Sequence, residues 1–166
     1  KILNGKQHGF FIEFGAGDGV YQSTTNVFEK HMCWTGLCIE PSEVVFKELV
    51  KNRPGCTRIH GAVCDGDMTR MYTDVVDDNG QWTGLSGFKE FMTEPQKKKI
   101  ERQVNKKGWS TKTYPIQCYK LNDLVEKYHT GKYDKTVDFL SIDVEGYERE
   151  VVESIDWKER DYGVVQ

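Results

Sequence analysis

Short apolar runs alternate along this chain with segments whose apolar residues recur every three or four positions, which predicts strands alternating with helices. The apolar runs cover residues 10–14, 36–40, 56–64 and 137–142, and a helical pattern follows three of them. Alternating strands and helices predict parallel pairing, because the chain must cross back over the sheet between strands. The predicted fold class is therefore α/β, an open sheet with helices on both faces.

The middle of the chain departs from this alternation. Residues 71–76 resemble a strand, Asn79-Gly80 is a hairpin signal, and residues 81–88 are the expected partner strand. Residues 96–109 are basic and polar. The favoured interpretation of this basic segment is a solvated helix face, and the alternative is a flap that meets an anionic or sugar acceptor.

Two more elements are predicted after the basic segment. Tyr114, Ile116 and Cys118 alternate as in a strand, and Pro115 places that strand at a sheet edge or makes it a strand start. The next apolar stripe has helical spacing and predicts a core-facing helix that ends at Gly131-Lys132.

Three glycines follow the first apolar run at alternate positions, Gly15, Gly17 and Gly19, and form what we call the glycine turn. Such a turn brings the backbone close to a ligand. The spacing differs from that of the dinucleotide fingerprint, and the carboxylates of Glu13 and Asp18 would repel a pyrophosphate. They suit a ligand with a sulfonium and an ammonium group, as in S-adenosylmethionine. A bare turn between core elements is the alternative.

Three predicted strands end in an acidic residue: Glu13, Glu40 and Asp143. Ligands of open α/β sheets bind outside the carboxyl ends of the strands, so these acids are candidate site residues. Glu40 has the position of an acid that binds ribose hydroxyls, although a lone acid there is more often a solvated strand end. Asp65 follows the third strand and is expected either to contact the edge of the ligand's adenine ring or to form an ordinary turn. His60 is expected to be a satisfied strand residue.

Composition narrows the function classes. The chain has 166 residues and a net charge of -3, which suits one domain and argues against a general nucleic-acid binder. No apolar run is long enough to span a bilayer. The five cysteines lack a C-x-x-C pair, and Cys38, Cys64 and Cys118 lie in strand-like runs, so we expect buried free thiols and a cytoplasmic location. Because the chain starts at Lys1 and ends in a strand-like segment, we expect a single domain over residues 1–166, truncated at its C-terminus, within a larger protein.

The glycine turn and the acidic strand ends resemble the FkbM-type methyltransferases. The motifs appear in family order over residues 11–20, 23–25, 34–41, 85–87 and 138–146. The resemblance implies a class I, Rossmann-like methyltransferase domain with further C-terminal strands. It also implies an enzyme that transfers a methyl group from S-adenosylmethionine to a hydroxyl of a sugar, glycan or small metabolite. The rival classes are a nicotinamide-dependent oxidoreductase or epimerase, and a non-catalytic donor-binding domain.

The residues and the resemblance together give a set of site predictions. Asp143 and Glu145 are the catalytic candidates, with Asp143 also near the donor's amino group. Glu145 acts either as a general base or as a negative charge that stabilises the N-terminus of the following helix. Asp143 and Glu145 are also suitable ligands for a hard divalent ion, but no metal is expected, because the sequence has no cluster of histidines or cysteines. The residues predicted to bind the donor are Glu13, Gly15, Ala16, Gly17, Gly19, Thr24, Thr25, Glu40, Pro41, Asp65, Ser86 and Asp143.

Overall fold

Two sheets make up the computed structural model, which describes residue 3 and residues 5–129 and 136–166. A five-stranded sheet has the order β3-β2-β1-β8-β9, and a four-stranded sheet has the order β4-β7-β5-β6. The strands are β1 Phe10–Phe14, β2 Thr35–Glu40, β3 Thr57–His60, β4 Ala62–Val63, β5 Met68–Val76, β6 Gly87–Phe88, β7 Ser110–Tyr119, β8 Thr136–Ile142 and β9 Asp161–Val165.

All neighbouring strands of the five-stranded sheet are parallel, as predicted. β1 lies at its centre, with Glu13 opposite Cys38 of β2 on one side and Ser141 of β8 on the other. Every residue of β1 is buried. A strand covered on both faces is apolar at consecutive positions, which explains why Glu13 is the one polar residue among the five of β1.

Helices cover both faces of this sheet, which confirms the α/β prediction. Phe11 of β1 packs in one cluster with residues of α1 and α2, and Ile12 packs in another with residues of α4 and α5. Successive side chains of a strand point to opposite faces, so each face has its own core. The helices are α1 Asn26–Met32, α2 Glu43–Asn52, α3 Glu94–Lys107, α4 Leu121–Tyr128 and α5 Glu148–Ser154. The predicted end of α4 at Gly131-Lys132 lies outside the described residues.

The third predicted strand, residues 56–64, is wrong as a single element. It breaks at Gly61 into β3, in the five-stranded sheet, and β4, in the four-stranded sheet. A Cβ atom on Gly61 would lie 2.7 Å from the ring of Tyr119 and 2.8 Å from the carbonyl oxygen of Gln117. The chain therefore changes sheets where β7 comes too close for any side chain.

The hairpin predicted around Asn79-Gly80 forms only in part. Val76 and Trp82 make an isolated bridge, and β6 pairs antiparallel with β5 over two residues. The main partner of β5 is β7, along nine residue pairs. At Pro115 the other side of β7 has no partner strand within the described residues, because β4 pairs only with Cys118 and Tyr119. The basic segment forms α3, in which only Ile100 is buried, as expected of a solvated helix.

The prediction of free thiols is wrong at two of the three positions. Cys64 and Cys118 form a disulfide between β4 and β7, while Cys38 is buried and free. The two strands are neighbours in register, with Ala62 opposite Cys118, so the second sheet brings together cysteines that are 54 residues apart in sequence. The helices of the described chain include none that is long and apolar enough to cross a membrane.

Candidate active site

A cavity of about 840 Å³ lies at the carboxyl ends of β1, β2 and β8. The chain leaves β1 toward β2 on one side, while β8 flanks β1 on the other, so this is the point where the strand order reverses. Crevices at such switch points are the usual ligand sites of open α/β sheets. Sequence-predicted residues in the cavity wall are Gly15, Ala16, Gly17, Glu40, Pro41, Asp143 and Glu145.

The glycine turn forms the floor of this cavity, and two of its positions require glycine for different structural reasons. Gly15 has φ +71°, and a Cβ atom there would lie 1.8 Å from the carbonyl oxygen of Asp143. Gly17 has φ +55°, and a Cβ atom there would meet nothing within 4 Å. Gly15 thus lets the ends of β1 and β8 approach each other, whereas Gly17 keeps an open space beside the backbone.

Glu40 is 3% exposed at the end of β2 and lines the cavity. One carboxylate oxygen accepts the N–H of Gly17 at 2.8 Å, and the other accepts the N–H of Ser42 at 2.7 Å. Ser42 caps α2, so the second contact fixes the carboxylate relative to that helix. Burial raises the pKa of Glu40 to about 7, the nearby carboxylate of Asp74 adds to the rise, and the two N–H donors oppose it.

The carboxylate of Glu13 bonds to other residues of the chain and does not line the large cavity. Its carboxylate accepts hydrogen bonds from the hydroxyls of Ser23, Thr24 and Thr25, at 2.8–3.2 Å, and from the N–H of Thr24 at 2.8 Å. The guanidinium of Arg53, which is fully buried, lies 3.5 Å from it. Thr25 is the residue before α1, but its hydroxyl donates to Glu13 and does not cap the helix.

Arg53 connects this network to the glycine turn. Its Nη1 donates to the carbonyl of Gly19 at 3.2 Å and to the hydroxyl of Ser23 at 2.9 Å, and its Nε donates to Glu29 at 2.6 Å. A Cβ atom on Gly19 would lie 2.4 Å from Cγ of Arg53. The sequence analysis missed this arginine, because it follows a helix 34 residues after the turn that it holds.

Asp143 and Glu145 follow the end of β8, where the chain is already turning, and both line the cavity. Glu145 has φ +51°, a left-handed conformation that costs a residue with a side chain about 1–2 kcal/mol. Glu148, the first residue of α5, accepts the N–H groups of Val144 and Gly146, which precede that helix. Burial and the neighbouring carboxylates of Asp143 and Glu148 raise the pKa of Glu145.

The structure places the other predicted residues away from the large cavity. Gly19 and Thr25 contact Arg53, and Thr24 lines a separate cavity of about 140 Å³ together with Glu13. Asp65 is exposed and lines neither cavity, so the structure does not bring it together with the other predicted residues. Ser86 lies outside the lining too, and its buried hydroxyl bonds to the backbone of Val75 in β5. His60 stacks on Phe46 and bonds to the carbonyl of Pro41, as expected of a satisfied residue.

Several cavity residues were missed by the sequence analysis, above all Tyr72, Trp82, Phe88 and Tyr147. They come from β5, the following loop, β6 and the start of α5. The ring centroids of Tyr72 and Phe88 are 5.4 Å apart, and those of Phe88 and Tyr147 are 4.7 Å apart. Aromatic residues in strands usually indicate core, so no local signal distinguished these rings.

The strand order, the glycine turn and the acids at the switch point define a methyltransferase fold of the Rossmann-like, class I type. The family model of the FkbM methyltransferase domain matches residues 13–166, so the chain belongs to the FkbM methyltransferase family and is a methyltransferase. Comparison with curated proteins and with solved structures gave no match. Within the described residues, no group of three or more histidines, cysteines or acids is arranged to hold a metal ion.

Proposed function

We propose that this protein transfers a methyl group from S-adenosylmethionine to a hydroxyl oxygen of a sugar, a glycan or a small metabolite. The observation that carries the donor assignment is the position of Glu40. Its two oxygens are oriented by Gly17 and Ser42 at the switch point, and each oxygen has a further lone pair for a ribose hydroxyl. Use of S-adenosylmethionine is also typical of the family to which the chain belongs.

The cavity wall fits this donor. The open space beside Gly17 admits a ligand against the backbone, and the carboxylates of Glu40 and Asp143 suit a ligand that carries a sulfonium and an ammonium group. We propose that Gly15, Ala16, Gly17, Glu40, Pro41 and Asp143 contact the donor. We assign Glu13, Thr24, Thr25 and Gly19 to the support of the glycine turn, because their contacts are with one another and with Arg53.

When bound, the donor supplies an activated methyl group on its sulfonium. The protein must then hold the acceptor oxygen in line with that group, and such positioning is worth up to about 7–11 kcal/mol. Glu145 is placed to take the hydroxyl proton as the new bond forms. None of the described residues donates a hydrogen bond to its side chain, and its raised pKa makes it a stronger base than an ordinary carboxylate.

The test is methyl transfer from isotope-labelled S-adenosylmethionine to a pool of glycans and metabolites, read by mass spectrometry. We expect label on a hydroxyl oxygen, recognised by its retention under mild base, which hydrolyses methyl esters, and by fragment ions that place the methyl group on a hydroxyl position. Label on nitrogen, on carboxylate or on no acceptor at all would contradict the proposal of O-methylation. A cytoplasmic location and attachment to a larger protein remain predictions. The cytoplasmic location was inferred from free cysteines, and the Cys64–Cys118 disulfide removes that support.

A further inference from the structure

Part of the cavity wall is made of an acidic residue and aromatic rings that the donor assignment does not use. Tyr72, Trp82, Phe88, Glu145 and Tyr147 line it, and we call this set the acceptor wall. The whole cavity lies near the upper end of the range for small-molecule sites, which is roughly 300–1,000 Å³, so it has room beyond the donor. The inference below rests on the proposed function, because it assigns this wall to the acceptor.

All the described charged residues that line the cavity are acidic. Its wall contains the carboxylates of Asp18, Glu40, Glu48, Asp143 and Glu145, and among the described residues no lysine, arginine or histidine lines it. Arg53 lies behind the glycine turn and pairs with Glu29. Arg70 lies 5.9 Å from the ring centroid of Tyr147, outside the lining, and pairs with Glu90. The lysines of α3 do not line the cavity either.

This charge pattern opposes an anionic acceptor. Two like charges 4 Å apart repel by about 4 kcal/mol at the effective dielectric constant of a protein surface. A phosphate or carboxylate that leaves water also needs a cationic partner to offset its desolvation, and the described lining offers none. The carboxylates of the wall already act on one another, since Asp143 contributes to the raised pKa of Glu145.

Tyr72 supplies an independent sign that an uncharged ligand belongs here. Its side chain lines the cavity and is 6% exposed, and none of the described residues makes a hydrogen bond to its hydroxyl. A ligand that excludes water from this hydroxyl leaves it unpaired at a cost of about 1–3 kcal/mol unless a ligand oxygen accepts its hydrogen bond. Burial and the carboxylates of Glu40, Asp74 and Glu145 raise the pKa of Tyr72, so the hydroxyl stays protonated and can donate to a neutral oxygen.

We infer that the acceptor is an uncharged ring that bears hydroxyls, of the glycosyl type, held against the aromatic acceptor wall with the Tyr72 hydroxyl on one of its oxygens. Carboxylated or phosphorylated forms of the same ring are excluded. The packed rings of Phe88 and Tyr147 provide apolar faces for the C–H face of a sugar. In the proposed reaction the acceptor O–H bond breaks, its proton passes to Glu145, and the oxygen takes the methyl group while the sulfonium becomes a neutral thioether.

The test uses pairs of probes that differ in one charge: neutral methyl glycosides, each with its uronate and its 6-phosphate analogue. Binding is measured by ligand-observed NMR on the whole chain saturated with S-adenosylhomocysteine, beside methyl transfer from S-adenosylmethionine. We expect the neutral member of each pair to bind at least about tenfold tighter, with a gap that narrows as salt screens the repulsion. Tighter binding of the anionic members overturns the inference, and so does a panel in which no glycoside binds while S-adenosylhomocysteine does. Failure of S-adenosylhomocysteine itself to bind is a failure of the proposed function.

Two sets of variants test the two parts of the argument. Gln81→Lys places a cation in the cavity wall, and Asn79→Lys places the same charge on an exposed neighbour outside it. We expect the first to improve uronate binding at least about tenfold and the second to change it by less than about twofold. Tyr72→Phe keeps the ring and is expected to weaken glycoside binding about five- to tenfold. Equal effects of the two lysines, or unchanged binding in Tyr72→Phe, would overturn the corresponding part.

Discussion

Glu40 combines two properties that make donor binding depend on pH. Burial raises its pKa to about 7, and a carboxylate accepts ribose hydroxyl bonds better when it is ionised. Below about pH 7 the ligand-free protein holds a proton on Glu40 that donor binding must release, so affinity should rise as pH increases from about 6 to about 8. Calorimetry in two buffers of different ionisation enthalpy measures both affinity and proton release. An affinity that is flat over this interval would contradict the role of Glu40.

Substitution of Glu40 gives a direct measure of the same contact. Glu40→Ala should weaken donor binding by about 1.5–3 kcal/mol, the range for hydrogen bonds to a charged group. Glu40→Gln is the matched variant, with similar shape and no titration, and its donor affinity should be low and independent of pH. Unchanged affinity in a folded Glu40→Ala protein would mean that the carboxylate only holds the strand end.

Glu145 and Asp143 are expected to separate chemistry from binding. Glu145→Gln should lower the methylation rate a hundredfold or more, within the range of general base catalysis, and leave donor affinity nearly intact. Asp143→Asn should lower both, because Asp143 directly follows β8, lines the cavity and is among the residues that we propose contact the donor. Steady-state rates and donor titrations of the two variants provide the comparison. Full activity of Glu145→Gln on the true acceptor would show that positioning alone carries the reaction.

How far the site could be predicted depends on how local each signal is. Glu40 and Asp143 were found because an acid after an apolar run predicts a strand end, and strand ends meet at one edge of a parallel sheet. Glu13 was found by the same rule, but its partners on residues 23–25 depend on how the turn folds back. Tyr72 and Arg53 had no signal of their own, because only the tertiary fold brings them to the cavity and the glycine turn.

Among the strands and helices, the elements of the parallel sheet were predictable and those of the second sheet only in part. β1 is apolar at four of its five positions because both of its faces are covered, and this marks it in the sequence. The break at Gly61 left no such mark, since it arises from the approach of β7. Likewise, the Asn79-Gly80 signal is local, whereas the pairing of β5 with β7 joins segments about 40 residues apart.

The glycine turn yields a matched pair of variants at the junction of β1 and β8. Gly15→Ala places a methyl group against the Asp143 carbonyl and forces a left-handed φ, so it should lower the free energy of unfolding by about 3 kcal/mol or more. Gly17→Ala meets open space and should cost only about 1–2 kcal/mol for its φ, yet weaken donor binding at least about tenfold by filling that space. Urea unfolding with and without S-adenosylhomocysteine separates the two effects. Equal losses of stability would contradict the close approach at Gly15.

The disulfide ties the second sheet together across 54 residues of sequence. In the chain-entropy model a loop of this length stabilises a protein by about 4 kcal/mol, so reduction or the double variant Cys64→Ala, Cys118→Ala should lower the unfolding free energy by about that amount. Cys33→Ala, at an exposed free cysteine, is the control and should have little effect. The measurement is urea unfolding with and without a reductant. Identical curves in both conditions would show that the bond does not form in solution.

The chain as a whole is a methyltransferase domain whose cavity, at the switch point of its parallel sheet, we assign to S-adenosylmethionine. The most direct test is calorimetric titration of the whole chain with S-adenosylmethionine and S-adenosylhomocysteine, with NAD as the competing candidate. We expect micromolar binding of the methyl donor or its product, roughly -8 kcal/mol, and no comparable binding of NAD, whose pyrophosphate would enter a cavity lined by carboxylates. Tighter binding of NAD than of the methyl donor would contradict the account.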